Sequence, residues 1–196
     1  MRRVVGLDLD LAKCGIGIIT LRPDRGDCTV ASAKLTSPLR KTGELDAKGK
    51  PTECLRDRYD RISDISGQAW HHASLADLVV VENKFAGSPG GKSIDRHGAY
   101  WHVVGRCLRA DIPVVEVAPT SLKLAIADDG RADKAKVSGA LARLWPNLVI
   151  GSDDEVDAVG LAHVGAVRLG WPVIALERHR RVKCVWPPFV DAEDVA

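Results

Sequence analysis

The chain has 196 residues, 45% hydrophobic and 28% charged, the balance of a globular protein with core enough for one domain. No apolar run approaches the ~20 residues of a membrane span and no secretory signal opens the sequence, so no membrane role is expected and a cytoplasmic location is predicted. The five cysteines (Cys14, Cys28, Cys54, Cys107, Cys184) are scattered without a C-x-x-C, which points away from a zinc site or redox pair, and a net charge of +2 leaves a nucleic-acid partner to be decided by where the basic residues lie.

In chain order, Val4, Val5, Leu7 and Leu9 form an apolar run with Asp8 inside it, and Cys14 to Thr20 form a second. The polar turn Asp10-Leu11-Ala12-Lys13 between them predicts a hairpin. Cys28 to Leu35 reads as a third strand, and residues 36 to 52, rich in Lys, Gly, Pro and Thr, as a loop. Leu55, Tyr59, Ile62, Ile65 and Ala69 recur at helical spacing and predict a helix over 53–72, with Arg56, Asp57, Arg58, Asp60 and Arg61 mostly on its wet side. Leu78 to Val81 reads as a strand buried on both faces and ends at Glu82. A glycine-rich loop (87–91), a helix over 95–110 and a strand over 112–117 follow. Pro119 and Thr120 open a short helix to about Ala127, and a further helix is predicted over 132–145, stopped by Pro146. Ser152-Asp153-Asp154-Glu155 has the form of a capping box at the head of a last helix reaching about Leu169. The expected organisation is one domain over 1–170 and a basic, extended C-terminal tail over 171–196. The order of elements predicts an α/β fold with a mixed sheet, three antiparallel strands coming first.

Four carboxylates stand where such a fold gathers its chemistry. Asp8 and Glu82 end strands, and Asp154 and Asp157, three apart, share a helix face. Hard divalent cations take oxygen ligands of this kind. The opposing reading is structural: an acid at a strand end can reach solvent, and Asp153, Asp154 and Glu155 lie in a first helical turn, where the macrodipole favours acids whatever the function. Asp157 lies past that turn. Asp10 shares a strand face with Asp8 by alternation, or serves only the turn. Six residues beyond Asp157, His163 points elsewhere on the helix and reads as a packed or hydrogen-bonded histidine.

Basic residues cluster in sequence around these acids: Lys84, Lys92, Arg96, Lys123, Arg131, Lys134 and Lys136. Phosphate contacts would use them, as would an ordinary solvated surface. Phe85, followed at once by a glycine-rich loop, is either an exposed ring or core. Residues 86–93 (AGSPGGKS) loosely match a phosphate-binding loop, which makes a P-loop-type nucleotide binder the rival reading. Ala86 in the first glycine position and Pro89, which lacks a donor, count against it.

Over residues 3 to 169 the chain resembles the RuvC-like Holliday junction resolvases, a branch of the ribonuclease H-like fold. Gly6-Leu7-Asp8 with Gly15-Ile16-Gly17 is similar to that family's first motif, in which the strand-one acid binds metal. Val80-Val81-Glu82-Asn83-Lys84-Phe85 resembles the second, with a catalytic Glu and an aromatic three positions on. Asp154-Glu155-Val156-Asp157-Ala158 resembles the third, and Gly130-Arg131-Ala132-Asp133-Lys134 the stretch leading into a DNA-contacting lysine, with Lys123 where another basic contact is found.

The resemblance, which extends to phage-type members, implies a central five-stranded sheet, three antiparallel strands then two parallel, flanked by helices. It implies a homodimeric, Mg²⁺-dependent endonuclease (Mn²⁺ substituting) that cuts branched DNA, most of all four-way junctions, in a bacterial cell or phage-infected host. Asp8, Glu82, Asp154 and Asp157 would be its catalytic and metal-binding residues. Lys84, Phe85, Lys92, Arg96, Lys123, Arg131 and Lys134 would contact DNA, with Phe85 wedged against bases at the crossover. A non-catalytic DNA-binding protein of the same fold is the remaining alternative.

Overall fold

A computed structural model of the chain describes residues 2–11, 13–39, 41–83 and 93–188. Three strands come first, β1 (Arg2–Asp8), β2 (Lys13–Arg22) and β3 (Asp27–Thr36). They are followed by α1 (Leu55–Ala73), β4 (Leu78–Glu82), α2 (Ser93–Arg109) and β5 (Val114–Val117). The helices α3 (Pro119–Ala127), α4 (Lys134–Leu144), α5 (Asp153–Arg168) and the single turn α6 (Glu177–Arg180) complete the chain.

The strands form one sheet in the order β3-β2-β1-β4-β5. β1 and β2, and β2 and β3, pair antiparallel; β1 and β4, and β4 and β5, pair parallel. The mixed five-stranded sheet expected from the sequence is therefore present. Alternation along its central strands divides the core in two. Val4, Leu78 and Val80 pack with α3, α4 and α5, whereas Val5, Leu7, Val79 and Val81 pack with α1 and α2. The unbroken apolar run of β4 follows from burial on both faces.

Helix α5 lies directly on the sheet because glycines open a path for it. A side chain at Gly6 or Gly17 would strike the Ala158 carbonyl, and one at Gly15 the Asp154 carbonyl. At the other end of α5, a Cβ on Gly165 would come within 2.7 Å of Val4 Cγ1 and 2.8 Å of Val80 Cγ2. Gly170, at a φ of 66°, then takes the left-handed conformation that ends the helix.

Some details differ from the sequence-based expectations. On α1 the buried stripe is rotated: Asp57 and Arg61 are buried along with Ile65 and Ala69, while Leu55 and Tyr59 are exposed. Apolar spacing alone does not reveal this, because the two charges are buried by virtue of partners elsewhere in the chain. Thr42 donates to Asp57, and Arg61 pairs with Glu53 at 3.0 Å. Helix α4 starts at Lys134 rather than Ala132, since Asp133 caps it by accepting from the Lys136 amide at 2.8 Å.

Past Leu169 the chain folds back where an extended tail is expected. Arg178 Nε donates to the Ala125 carbonyl at 2.9 Å, and Trp171, His179 and Val182 are buried. His179 Nδ1 lies 3.2 Å from His163 Nε2. The Leu176 amide also points at that Nδ1, so Nδ1 accepts and His163 donates. His163 is thus a packed, hydrogen-bonded histidine, as expected. Among the described residues no helix is long and apolar enough to cross a membrane.

Candidate active site

Asp8 and Glu82 each stand one step beyond the last paired residues of neighbouring parallel strands, Leu7 and Val81. Parallel neighbours run about 4.8 Å apart, so these two acids sit side by side at one end of the sheet. Alternation puts Asp8 on the face of Val4 and Gly6, and Glu82 on that of Leu78 and Val80, which is the face α5 covers. Asp8 is 4% exposed and Glu82 half-buried.

The third and fourth acids arrive from above. Gly15 pairs with Asp8 across β1 and β2. Because Gly15 has no side chain, the backbone of Asp154 rests on it, one strand over from Asp8. Asp157 follows three residues later, just before the Ala158 carbonyl that lies over Gly6 and Gly17. β1, β4 and the first turns of α5 therefore carry Asp8, Glu82, Asp154 and Asp157 to one corner of the molecule.

The acid between them has another duty. Glu155 is buried and accepts from Ser32 Oγ of β3 at 2.6 Å and from Ser152 Oγ at 2.9 Å. The capping box expected at Ser152 is not formed, because this serine hydroxyl turns to the Glu155 carboxylate instead of to a backbone amide. Glu155 thus fastens the head of α5 to the far side of the sheet. The sequence signal for it was the S-x-x-E spacing, read for the wrong bond.

Cations border the corner. Arg96 of α2 pairs with Asp10 at 3.4 Å, and the Asp10 carboxylate also takes the Leu11 amide, so this acid braces the turn beyond Asp8. Lys134 of α4 pairs with Asp153 at 3.5 Å, beside the first turn of α5. Arg131 is exposed, next to Gly130, which lies against the Thr120 backbone at the head of α3. Lys123 is half-buried on α3, and Lys136 is engaged with Asp129 at 2.9 Å. Lys84, Phe85 and Lys92, and the phosphate-loop match over 86–93 up to Ser93, lie outside the described residues.

The donor set consists of carboxylates alone. Cys14 packs on the α1–α2 face of the sheet, away from them. Oxygen-only ligands fit a hard divalent cation and not a soft metal. Among the described residues no group of three or more His, Cys, Asp or Glu side chains stands close enough together to hold a metal ion, so the structure places the four acids on neighbouring elements without bringing them into one cluster. Like charges on neighbouring elements repel one another, and a bound cation is one way to offset that repulsion.

No protein-family model matches the chain. A crossover junction endodeoxyribonuclease RuvC from Oleidesulfovibrio alaskensis is 34% identical over 123 residues, covering 59% of this chain and 74% of that protein. Another protein of that name, from Cutibacterium acnes, is 29% identical over 191 residues, covering 94% of this chain and 91% of its own length. Among solved structures, Thermus thermophilus RuvC in complex with a Holliday junction substrate superposes with a TM-score of 0.64 at 18% identity, covering 87% of this chain and 97% of that one.

Proposed function

The chain belongs to the family of crossover junction endodeoxyribonuclease RuvC, and we infer from this that it is a structure-selective endodeoxyribonuclease that resolves four-way DNA junctions. The observation that supports this best is the placement of Asp8 and Glu82 one step beyond Leu7 and Val81 on neighbouring parallel strands, under a helix whose Asp154 backbone rests on Gly15. In this reading Asp8, Glu82, Asp154 and Asp157 hold the metal, Mg²⁺ or Mn²⁺ in its place. A bound divalent cation stabilises charge on the phosphodiester oxygens and lowers the pKa of a coordinated water.

The chain's own residues do the remaining work. Asp8 and Glu82 are fixed by the ladder of β1 and β4, and the position of α5 sets Asp154 and Asp157 over them. Arg96, Arg131 and Lys134, with Lys123 behind them, take backbone phosphates and hold the strand against the acids. The resemblance adds Lys84 and Lys92 to that role and gives Phe85 that of a wedge stacking on an opened base. A two-fold symmetric dimer supplies two opposed sites, which is what two nicks across a four-way junction require. The activity belongs in the cytoplasm, where branched DNA arises.

The test is a panel of labelled four-way, forked, flapped and linear DNAs incubated with Mg²⁺, read alongside light scattering. The expected result is cleavage of four-way junctions first, by a dimer. A monomer at micromolar concentration, with and without junction DNA, contradicts the assembly. Equal cutting of linear duplex contradicts the selectivity.

A further inference from the structure

The stretch between β3 and α1 forms a small hairpin that the carboxylate corner does not require. Gly43 N donates to the Thr52 carbonyl at 2.9 Å, Thr52 N to the Glu44 carbonyl at 3.0 Å, and Asp46 N to the Lys50 carbonyl at 2.8 Å. Leu45 and Pro51 form an antiparallel bridge. Asp46 Oδ1 accepts from the Lys48 and Lys50 amides at 2.8 and 2.9 Å, and Gly49 takes a φ of 69°, so the turn is tied by its own side chain. Lys41, Lys48 and Lys50 are exposed and enter no ion pair among the described residues. Asp46 is engaged by the turn, which leaves Glu44 as the hairpin's other acid.

Two relationships fix where this hairpin stands. Thr36, the last residue of β3, pairs with Lys13, at the same end of the sheet as Asp8 and about 10 Å from β1. The base of the hairpin is also anchored to buried charge. Thr42 N and Oγ1 each donate to Asp57 at 2.8 Å, and Cys54 N donates to it at 3.0 Å. One turn on, Arg61 reaches Glu53 at 3.0 Å and Asp95 at 3.8 Å, and Arg58 Nε donates to Asp95 at 2.9 Å. Asp95 precedes Arg96, which pairs with Asp10, two residues past Asp8. Buried charge pairs add little net stability. What this series provides is a fixed angle between the hairpin and the catalytic strand.

We propose that the hairpin over 43–52 is a DNA-backbone arm, in which Lys41, Lys48 and Lys50 take phosphates of the duplex beside the scissile bond. Three unpaired cations with no aromatic ring among them suit phosphates and not bases. The arm rests on the nuclease reading and extends its contact surface beyond the residues that the family motifs mark.

The test is fluorescence anisotropy of a labelled four-way junction with Asp8→Asn protein in EDTA, between about 50 and 200 mM salt. Each of Lys41→Ala, Lys48→Ala and Lys50→Ala is expected to make the log Kd against log salt plot shallower by about 0.9, and the triple variant by about 2–3. Melting temperature stays unchanged, since all three side chains are exposed. Arg109→Ala, on the exposed last turn of α2 at the opposite end of the sheet, is expected to leave the slope alone. A triple variant with the parent's slope overturns the arm, as does an Arg109→Ala effect equal to that of one lysine. A parent that binds no branched DNA overturns the arm and the nuclease reading together.

Discussion

Gly15 carries the backbone of Asp154: the carbonyl of the acid occupies the space where any side chain at Gly15 would begin. Since Gly15 pairs with Asp8 across β1 and β2, one missing Cβ sets the distance between two candidate metal ligands. Gly15→Ala is therefore expected to lift the head of α5. Forcing a methyl group into packed backbone costs ~1–3 kcal/mol, and cleavage should fall far more than stability. Differential scanning calorimetry beside a junction-cleavage assay measures both. Normal cleavage by a destabilised Gly15→Ala protein would separate helix seating from catalysis.

Adjacent acids in α5 should behave in opposite ways. Glu155 is buried and bonded to Ser32 and Ser152, whereas Asp154 is only half-buried and is one of the proposed metal ligands. Glu155→Ala strands two hydroxyls, a loss of ~1–3 kcal/mol, and should lower the melting temperature by ~2–4 °C for each kcal/mol. Asp154→Asn should leave the melting temperature within a degree or two, as roughly expected of a surface change, and abolish cleavage. Thermal melts of the two variants check this directly.

The buried histidine pair gives the fold a dependence on pH. Burial first, and the neighbouring ring second, lower His163 to about 3; burial, then Arg178, lower His179 to about 4. Both are neutral in the native state, and in the unfolded chain they take protons below about pH 6.5. Stability is then complete above that pH and is lost as pH falls from about 6.5 toward 4. The loss is at most about 1.4 kcal/mol per pH unit for each proton taken up. Asp57, held down at about 2 first by the Thr42 amide, adds to the loss only below about pH 4. Melting temperatures at pH 7, 6 and 5 should decline, and His163→Leu should flatten the decline.

Much of this was legible in the sequence, and the failures share a cause. The positions of Asp8 and Glu82 at strand ends, and of Asp154 and Asp157 near the head of one helix, could be read because strand ends and helical spacing leave a local pattern. The mixed sheet followed from the order of elements in the same way. The buried charges of α1 could not be found, since Asp57 and Arg61 are buried by partners at Thr42, Glu53 and Asp95. No local pattern distinguishes a charge with a distant partner from one in water. The folded-back tail was hidden for the same reason: a basic run reads as solvated until Arg178 meets the open carbonyls of α3 and His179 meets His163.

The proposed wedge role of Phe85 can be separated from a core role by substitution. If its ring stacks on a base, Phe85→Ala loses ~1–3 kcal/mol of junction binding and leaves the melting temperature nearly unchanged. A buried ring would instead leave a cavity costing ~3–5 kcal/mol. Melting and junction cleavage, measured on one preparation, distinguish the two.

The central claim is that Asp8 and Glu82, side by side at the ends of β1 and β4, carry out metal-dependent cleavage of four-way junctions. The most direct measurement is Mg²⁺-dependent nicking of an end-labelled four-way junction by the parent, Asp8→Asn and Glu82→Gln proteins, with binding of the same junction measured alongside. The account predicts paired nicks across the junction for the parent. It predicts no cleavage but undiminished binding for both variants, because removing a carboxylate from a cationic surface takes away no phosphate contact. Cleavage that survives in Asp8→Asn or Glu82→Gln would contradict it.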